Sequence, residues 1–369
     1  MNKHVIVRTA AAASAIALLT SLAACGDNIP AGTAATANAD GLSGNFAGAG
    51  ASSQQSATEA WIAGFTASNT KAKISYNPSG SGAGVTTFLT GATAWAASDK
   101  ALSDSEVEQS KDVCASGTAF DVPVYIAPIA VVFNLNGVSD AGKHVNMDAA
   151  TIAKIFDGKI TKWNDPSIQE QNPDITLPDT AITVVHRSDK SGTTQNFVEY
   201  LKAAAPDDWT YDLSENWPNE VGQGAKGTSG VISTISQADG TIGYADFSQV
   251  GELGTVSVKV GDEYVDISTQ AASNAIADST IDENVTGDNR VVVDVNHTTT
   301  ADNAYPIVMV SYDIVCPVYQ DSATTEFARD WLTYVVSTAG QSVASSATGS
   351  APLPNNIVDR INESIAAMG

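Results

Sequence analysis

Residues 187–193 read Arg-Ser-Asp-Lys-Ser-Gly-Thr, a run that joins one guanidinium to three hydroxyls and a glycine and contains no apolar residue. Placed between a strand and a helix, such a turn gathers free backbone N–H groups, hydroxyls and a cation around one point, which suits a tetrahedral oxyanion. The same residues also suit an ordinary strand-to-helix turn with Ser191 as its N-cap. Upstream lie two glycine-rich turns, residues 48–53 and 79–84, and a third polar loop, residues 97–100, that carries Asp99. Each singled-out residue has a plain structural reading as well. Ser81 could belong to a linker, Asp99 could cap the acidic helix that starts near Ser103, and Arg187 could pair with Asp189 at the surface.

Catalytic chemistry lacks its usual parts. Of four histidines, His4 falls in the leader, and His144, His186 and His297 lie far apart without metal-ligand spacing. No Gly-x-Ser-x-Gly elbow precedes a helix, no Gly-x-x-x-x-Gly-Lys-Ser/Thr loop occurs, and Gly80-Ser81-Gly82 has no paired base nearby. Hydrolysis needs an activated nucleophile or a metal. The expectation is therefore a binding protein, with no metal and no cofactor.

The elements that position these loops can be read from periodicity. Ile182, Thr183, Val184 and Val185 form a β-branched run before the central turn, and Phe197, Tyr200 and Leu201 follow it at helical spacing. Ala57, Ala60, Trp61, Gly64 and Phe65 predict a helix after the first glycine-rich turn. Residues 71–76 predict a strand ending at Asn77-Pro78, and Val85, Phe88 and Leu89 begin another helix. Ile152, Ile155 and Phe156 predict a helix that starts at Asp148 and stops at Gly158. Residues 231–237 read as helix, 241–244 as strand, and 251–300 as strand-like pieces between polar loops. The six tryptophans are expected in the core or at its rim.

Two long apolar runs contain proline: 121–136, broken by Pro123 and Pro128, and 304–312, which leads into a helix around Phe327, Trp331 and Val335. Proline denies helix and favours extended chain, so both runs suit crossovers between domains. One domain is expected at 44–122 plus 307–369 and another at 123–306. Two connecting strands imply a hinge, with the ligand in the cleft.

A chain of 369 residues with 43% apolar content has material for about two cores. Residues 1–24 carry Lys3 and Arg8 ahead of an Ala/Leu-rich stretch and read as an export signal. Leu22-Ala23-Ala24-Cys25 looks like a bacterial lipobox, which makes Cys25 the acylated first residue and 25–43 a flexible tether; a cleavable signal that ends near a cysteine is the alternative. Cys114 and Cys316 then remain as an even pair, expected to bridge in an oxidising compartment, two buried thiols being the other possibility. The net charge is −23, and loss of the leader's two basic residues takes it to −25. Such a surface argues against nucleic acid. It also means that an anion must be held by short-range hydrogen bonds rather than drawn in from a distance.

Taken together, the stretches 48–52, 80–84, 97–99, 156–163, 187–189 with 191–194, 227–244 and 305–307 resemble the PstS family, the phosphate-binding proteins of bacterial phosphate ABC importers. The resemblance covers essentially everything after the tether. It implies an α/β, two-domain periplasmic-binding-protein-like fold with two interdomain crossover strands and a ligand cleft. It further implies that phosphate is contacted by Ser52, the N–H of Ser53, Ser81, Ser191, Gly192 and Thr193. Arg187 would be the cation, Asp189 its holder and Asp99 the carboxylate of the site. Ser53 stands where the family usually has a bulky residue, and Lys190 where it often has Gly or Glu. The implied partners are inorganic phosphate and the permease and ATPase subunits of the importer, at the outer face of the cell membrane. Another oxyanion such as sulfate, or a phosphatase, are the competing readings; Asp99 argues against fully ionised anions because only a protonated ligand can give it a hydrogen.

Overall fold

The computed structural model describes residues 41–139 and 144–369. The expected signal (1–24), Cys25 and the tether up to residue 40 lie outside the described residues. In chain order the elements are β1 (Ser43–Gly50), α1 (Gln55–Ser68), β2 (Lys71–Asn77), α2 (Ser81–Phe88), β3 (Trp95–Ser98), α3 (Asp104–Gln109), β4 (Phe120–Asn134), β5 (His144–Met147), α4 (Ala149–Phe156), α5 (Pro166–Gln169), β6 (Thr183–Arg187) and α6 (Gly192–Ala204). There follow β7 (Gln223–Ala225), α7 (Gly227–Ser236), β8 (Thr241–Asp246), β9 (Gly254–Val260), β10 (Glu263–Val265), α8 (Thr269–Ala277), β11 (Thr280–Ile281), β12 (Val293–Asp294), β13 (Val308–Val315), α9 (Ser322–Val336), α10 (Thr338–Thr348) and α11 (Asn355–Ala366).

Strand β4 is the spine, and its largely apolar sequence, with Asp121 near its start, reflects burial on both faces. Along its first half it pairs antiparallel with β13, and along its second half with β8. The sheet therefore runs β2-β1-β3-β13-β4-β8-β6-β7, with β9 also on β4 and carrying β5 and β10. The described residues, 41–139 and 144–369, pack as one compact unit around this shared strand. The run 121–136 is thus extended, as its prolines require, and it is a central strand rather than a bare connector. Pro123 is accommodated beside a bulge: Ser311 pairs with Tyr125 and Tyr312 with Pro123, leaving Val124 as the extra residue.

On either side of the spine, β1, β2 and β3 run parallel to one another, and so do β6, β7 and β8. Parallel pairing demands crossover helices. Helices α1, α2, α6 and α7 accordingly begin within a few residues of the ends of β1, β2, β6 and β7. Open α/β sheets place ligands at such strand ends.

Two helices begin earlier than periodicity indicates, α2 at Ser81 and α7 at Gly227, because both first turns are glycine-rich and carry little apolar signal. Gly84 is required for packing, since a Cβ there would lie 2.3 Å from the Cα of Gly50. Within 251–300, read as strand-like pieces, the structure has the helix α8, capped by Ser268 and buried through Ala271, Ala272, Ala275 and Ile276. Two aromatic groups fill the core. Phe46, Phe65, Trp95, Phe327 and Trp331 pack together beside β1, and Phe156, Phe197, Trp217 and Tyr244 pack beside β6. Five of the six tryptophans are fully buried, and Trp217 is partly so. Cys114 and Cys316 form a disulfide across 202 residues. No helix among the described residues is long and apolar enough to cross a membrane.

Candidate functional site

Four helix starts meet at one buried polar cluster. Helices α1, α2 and α7 begin there without a side-chain cap, whereas α3, α4, α8, α9 and α10 all have one. An uncapped helix start leaves N–H groups and the positive end of the helix dipole for another acceptor. The fourth, α6, is capped by Ser191, whose Oγ accepts from the Thr194 N–H at 3.2 Å. Ser191 is therefore the N-cap that the local sequence allowed, and at the same time it lies in the cluster.

Asp99 is the centre. It is 2% exposed, and its carboxylate accepts from Ser53 Oγ (2.8 and 2.7 Å), Thr193 Oγ1 (2.7 Å) and Ser311 Oγ (2.8 Å). Its backbone N–H donates to Ser81 Oγ at 3.2 Å, and its carbonyl accepts from Asn196 Nδ2 at 2.6 Å. Asp99 does not cap the acidic helix; Ser103 does. Gly192 lets the start of α6 come this close, because a Cβ there would lie 2.8 Å from the Asp99 Cβ and 2.9 Å from Ser81 Oγ.

The cation is equally buried. Arg187 is 3% exposed and is clasped by Asp189 through Nε (2.8 Å) and Nη2 (2.6 Å), so the pair is an interior one and not a surface contact. This clasp takes two of the five guanidinium donors. Burial pushes the Asp189 carboxyl up, but Arg187 and the Gly227 N–H together hold it below the usual carboxylate range. Behind the arginine, Tyr244 OH accepts from the Arg187 N–H at 3.2 Å and bonds Thr194 Oγ1 at 2.6 Å, tying the end of β6 to the start of α6. Ser52 completes the cluster: its Oγ accepts from the Thr228 N–H at 3.0 Å and lies 3.1 Å from Thr228 Oγ1.

All nine expected residues, Ser52, Ser53, Ser81, Asp99, Arg187, Asp189, Ser191, Gly192 and Thr193, thus fall in one connected neighbourhood. Ser53, where the family has bulk, is fully buried and donates to Asp99, and Lys190 is exposed with its stem against α2 at Gly82. Four neighbours were not expected: Thr228, Asn196, Tyr244 and Ser311. Thr228 had a signal, since Gly227-Thr228 opens a helix after a glycine-rich stretch as Gly192-Thr193 does. Ser311 had none, lying inside a buried strand with no turn residue beside it. The cluster's groups bond one another directly, and a larger cavity of about 500 Å³ beside Phe46, Phe88 and Tyr319 lies away from it.

A twisted parallel-antiparallel sheet with a polar cluster at the helix starts defines the class, and residues 33–339 match the family model of the PBP superfamily domain. Two relatives narrow this. Phosphate-binding protein PstS 2 of Mycobacterium tuberculosis (strain ATCC 25618 / H37Rv) is 35% identical over 327 residues, 86% of each chain. Phosphate-binding protein PstS3 of Mycobacterium bovis (strain BCG / Pasteur 1173P2) is 34% identical over 358 residues, 94% of this chain and 95% of the relative. The chain belongs to the PstS family of phosphate-binding proteins. Among solved structures, a high-affinity periplasmic phosphate-binding protein (PfluDING) with bound phosphate superposes with a TM-score of 0.68 at 20% identity, covering 87% of this chain and 93% of that one. A putative phosphate ABC transporter substrate-binding protein from Clostridium perfringens, also with bound phosphate, gives 0.60 at 18% identity, covering 84% and 100%. These share the fold.

Proposed function

We propose that this chain is an extracytoplasmic receptor that binds one inorganic phosphate ion at the Asp99–Arg187 cluster and delivers it to the permease and ATPase subunits of an ABC importer. Cys25 would carry the lipid that holds it to the outer face of the cell membrane, with residues 25–43 as tether. Segments 44–122 plus 307–369 and 123–306 act as two lobes that hinge on β4 and β13.

The observation that carries this reading is the buried Asp99 carboxylate set among donors in the same cluster as the buried Arg187 guanidinium. Phosphate near neutral pH keeps at least one proton, so its bare oxygens can accept from Ser52, Ser81, Ser191 and the N–H groups of Ser53, Gly192 and Thr193. Arg187 neutralises charge, and Asp99 accepts from the P–OH. Sulfate has no proton to offer, and its oxygens would face the Asp99 lone pairs. Selection of this kind reaches ~10⁴-fold in buried polar sites. The reading is tested by calorimetry of the purified protein with phosphate, arsenate and sulfate. Phosphate should bind, arsenate, also protonated, should compete, and sulfate should not; tighter binding of sulfate than of phosphate, or none of either, defeats it.

A further inference from the structure

We infer that Ser311, on β13, is a positioning residue for anion selection, acting through Asp99 and held in turn by Gln54. The inference rests on the phosphate reading and adds a residue on the wall opposite the helix starts. Ser311 and Gln54 are both fully buried. The Ser311 hydroxyl has one proton and two acceptors in reach, Asp99 Oδ1 at 2.8 Å and the Ser98 carbonyl at 3.5 Å. The nearer, charged acceptor takes it. Its own oxygen accepts from Gln54 Nε2 at 3.2 Å, and the Gln54 carbonyl oxygen accepts from Thr58 Oγ1 at 3.1 Å. Every bond in this file points the same way, from α1 through β13 into the carboxylate. The bulge at Val124 falls opposite Ser311, and bulges commonly re-aim a side chain next to a site.

The consequence is geometric. Ser311 donates to Oδ1, Thr193 to Oδ2, and Ser53 lies within reach of both (2.8 and 2.7 Å), so the two oxygens are held from different elements and the carboxylate plane is fixed. Without Ser311, Oδ1 loses its donor from β13 and the carboxylate is free to turn. A carboxylate that can turn away no longer sets its lone pairs against the oxygens of a fully ionised anion, and so tells phosphate from sulfate less well.

The test is calorimetry of the purified full-length protein with phosphate and with sulfate, for wild type, Ser311→Ala, Ser311→Thr and Gln54→Leu, each checked for folding by its thermal melt. Ser311→Ala should lower the phosphate-to-sulfate affinity ratio by about tenfold, the effect of one hydrogen bond to a charged group. Ser311→Thr, which keeps the hydroxyl, should restore it. Gln54→Leu, which touches neither Asp99 nor the ligand, should move the ratio the same way by less. A loss of melting temperature with an unchanged ratio in folded Ser311→Ala, or in Gln54→Leu if the first does not fold, overturns the inference. A wild type that does not prefer phosphate instead defeats the receptor reading on which it rests.

Discussion

At the scale of the residue, function concentrates in Asp99, whose type is decisive while its burial and partners only make that type count. Replacing Asp99 by Asn keeps size and hydrogen-bonding capacity but adds an N–H₂ where the carboxylate offered only lone pairs. The hydroxyls of Ser53, Thr193 and Ser311 that now donate to it would have to share one oxygen. We expect Asp99→Asn to weaken phosphate binding and strengthen sulfate binding, so that their ratio falls by about 10²-fold, as when a buried polar group loses its matched partner. Paired titrations of the two anions check it, and an unchanged ratio removes Asp99 from the selection role. Arg187 does not serve the same test, since its loss would leave Asp189 buried without its partner and weaken every anion alike.

At the scale of the element, the sequence was most legible where periodicity and turn chemistry agree. Helix α4 shows this: Asp148 caps it, Ile152, Ile155 and Phe156 form its buried face, and Gly158 follows with φ +71°. The loops of the site were legible because Ser, Gly and Thr at helix starts have a local mechanism. Long-range partners leave no such trace. Arg290 sits in a stretch that read only as polar loop, yet it is 7% exposed and donates to Asp121 Oδ1 at 2.6 Å, Asp121 Oδ2 at 2.9 Å and the Leu102 carbonyl at 2.7 Å. Asp121 in turn accepts from the Leu102 N–H at 2.6 Å. This bidentate pair fastens the segment before β12 to the start of β4, and nothing near either residue in the sequence announces the other. Arg290→Ala leaves a buried carboxylate without its cation, so a loss of about 3–5 kcal/mol is expected in denaturant unfolding. The double variant Arg290→Met with Asp121→Leu should recover most of it. A loss below about 1 kcal/mol would mean that the pair is incidental.

At the scale of the whole molecule, the shared spine buries acidic groups that an acidic protein could have left at its surface. Asp246 ends β8 and Asp313 lies in β13, both fully buried. Burial pushes both carboxyls up to about 7. At Asp246 the nearby Asp99 adds to this, against donation from Ser248 and Tyr125; at Asp313 the Trp331 and Gln54 side chains oppose it. In the unfolded chain these groups lose their protons near 3.8, the ordinary value for an aspartate. Between those limits the folded state binds more protons than the unfolded one, so stability falls as pH rises, by at most about 1.4 kcal/mol per pH unit for each group, and levels off above about 7. His186 and His297 act in the opposite sense: burial lowers both below 6.5, so the unfolded chain carries the extra proton and their contribution rises with pH up to that value. The carboxylate effect is therefore read as a difference. Asp313→Asn keeps an oxygen to accept from Trp331 Nε1, now bonded at 2.8 Å, and cannot ionise. Relative to wild type, its melting temperature should rise progressively from pH 5 to pH 7 and then hold a constant offset to pH 8. A difference that does not change over that range would mean that Asp313 is ionised in the folded protein throughout, with its charge met by groups other than Trp331 and Gln54.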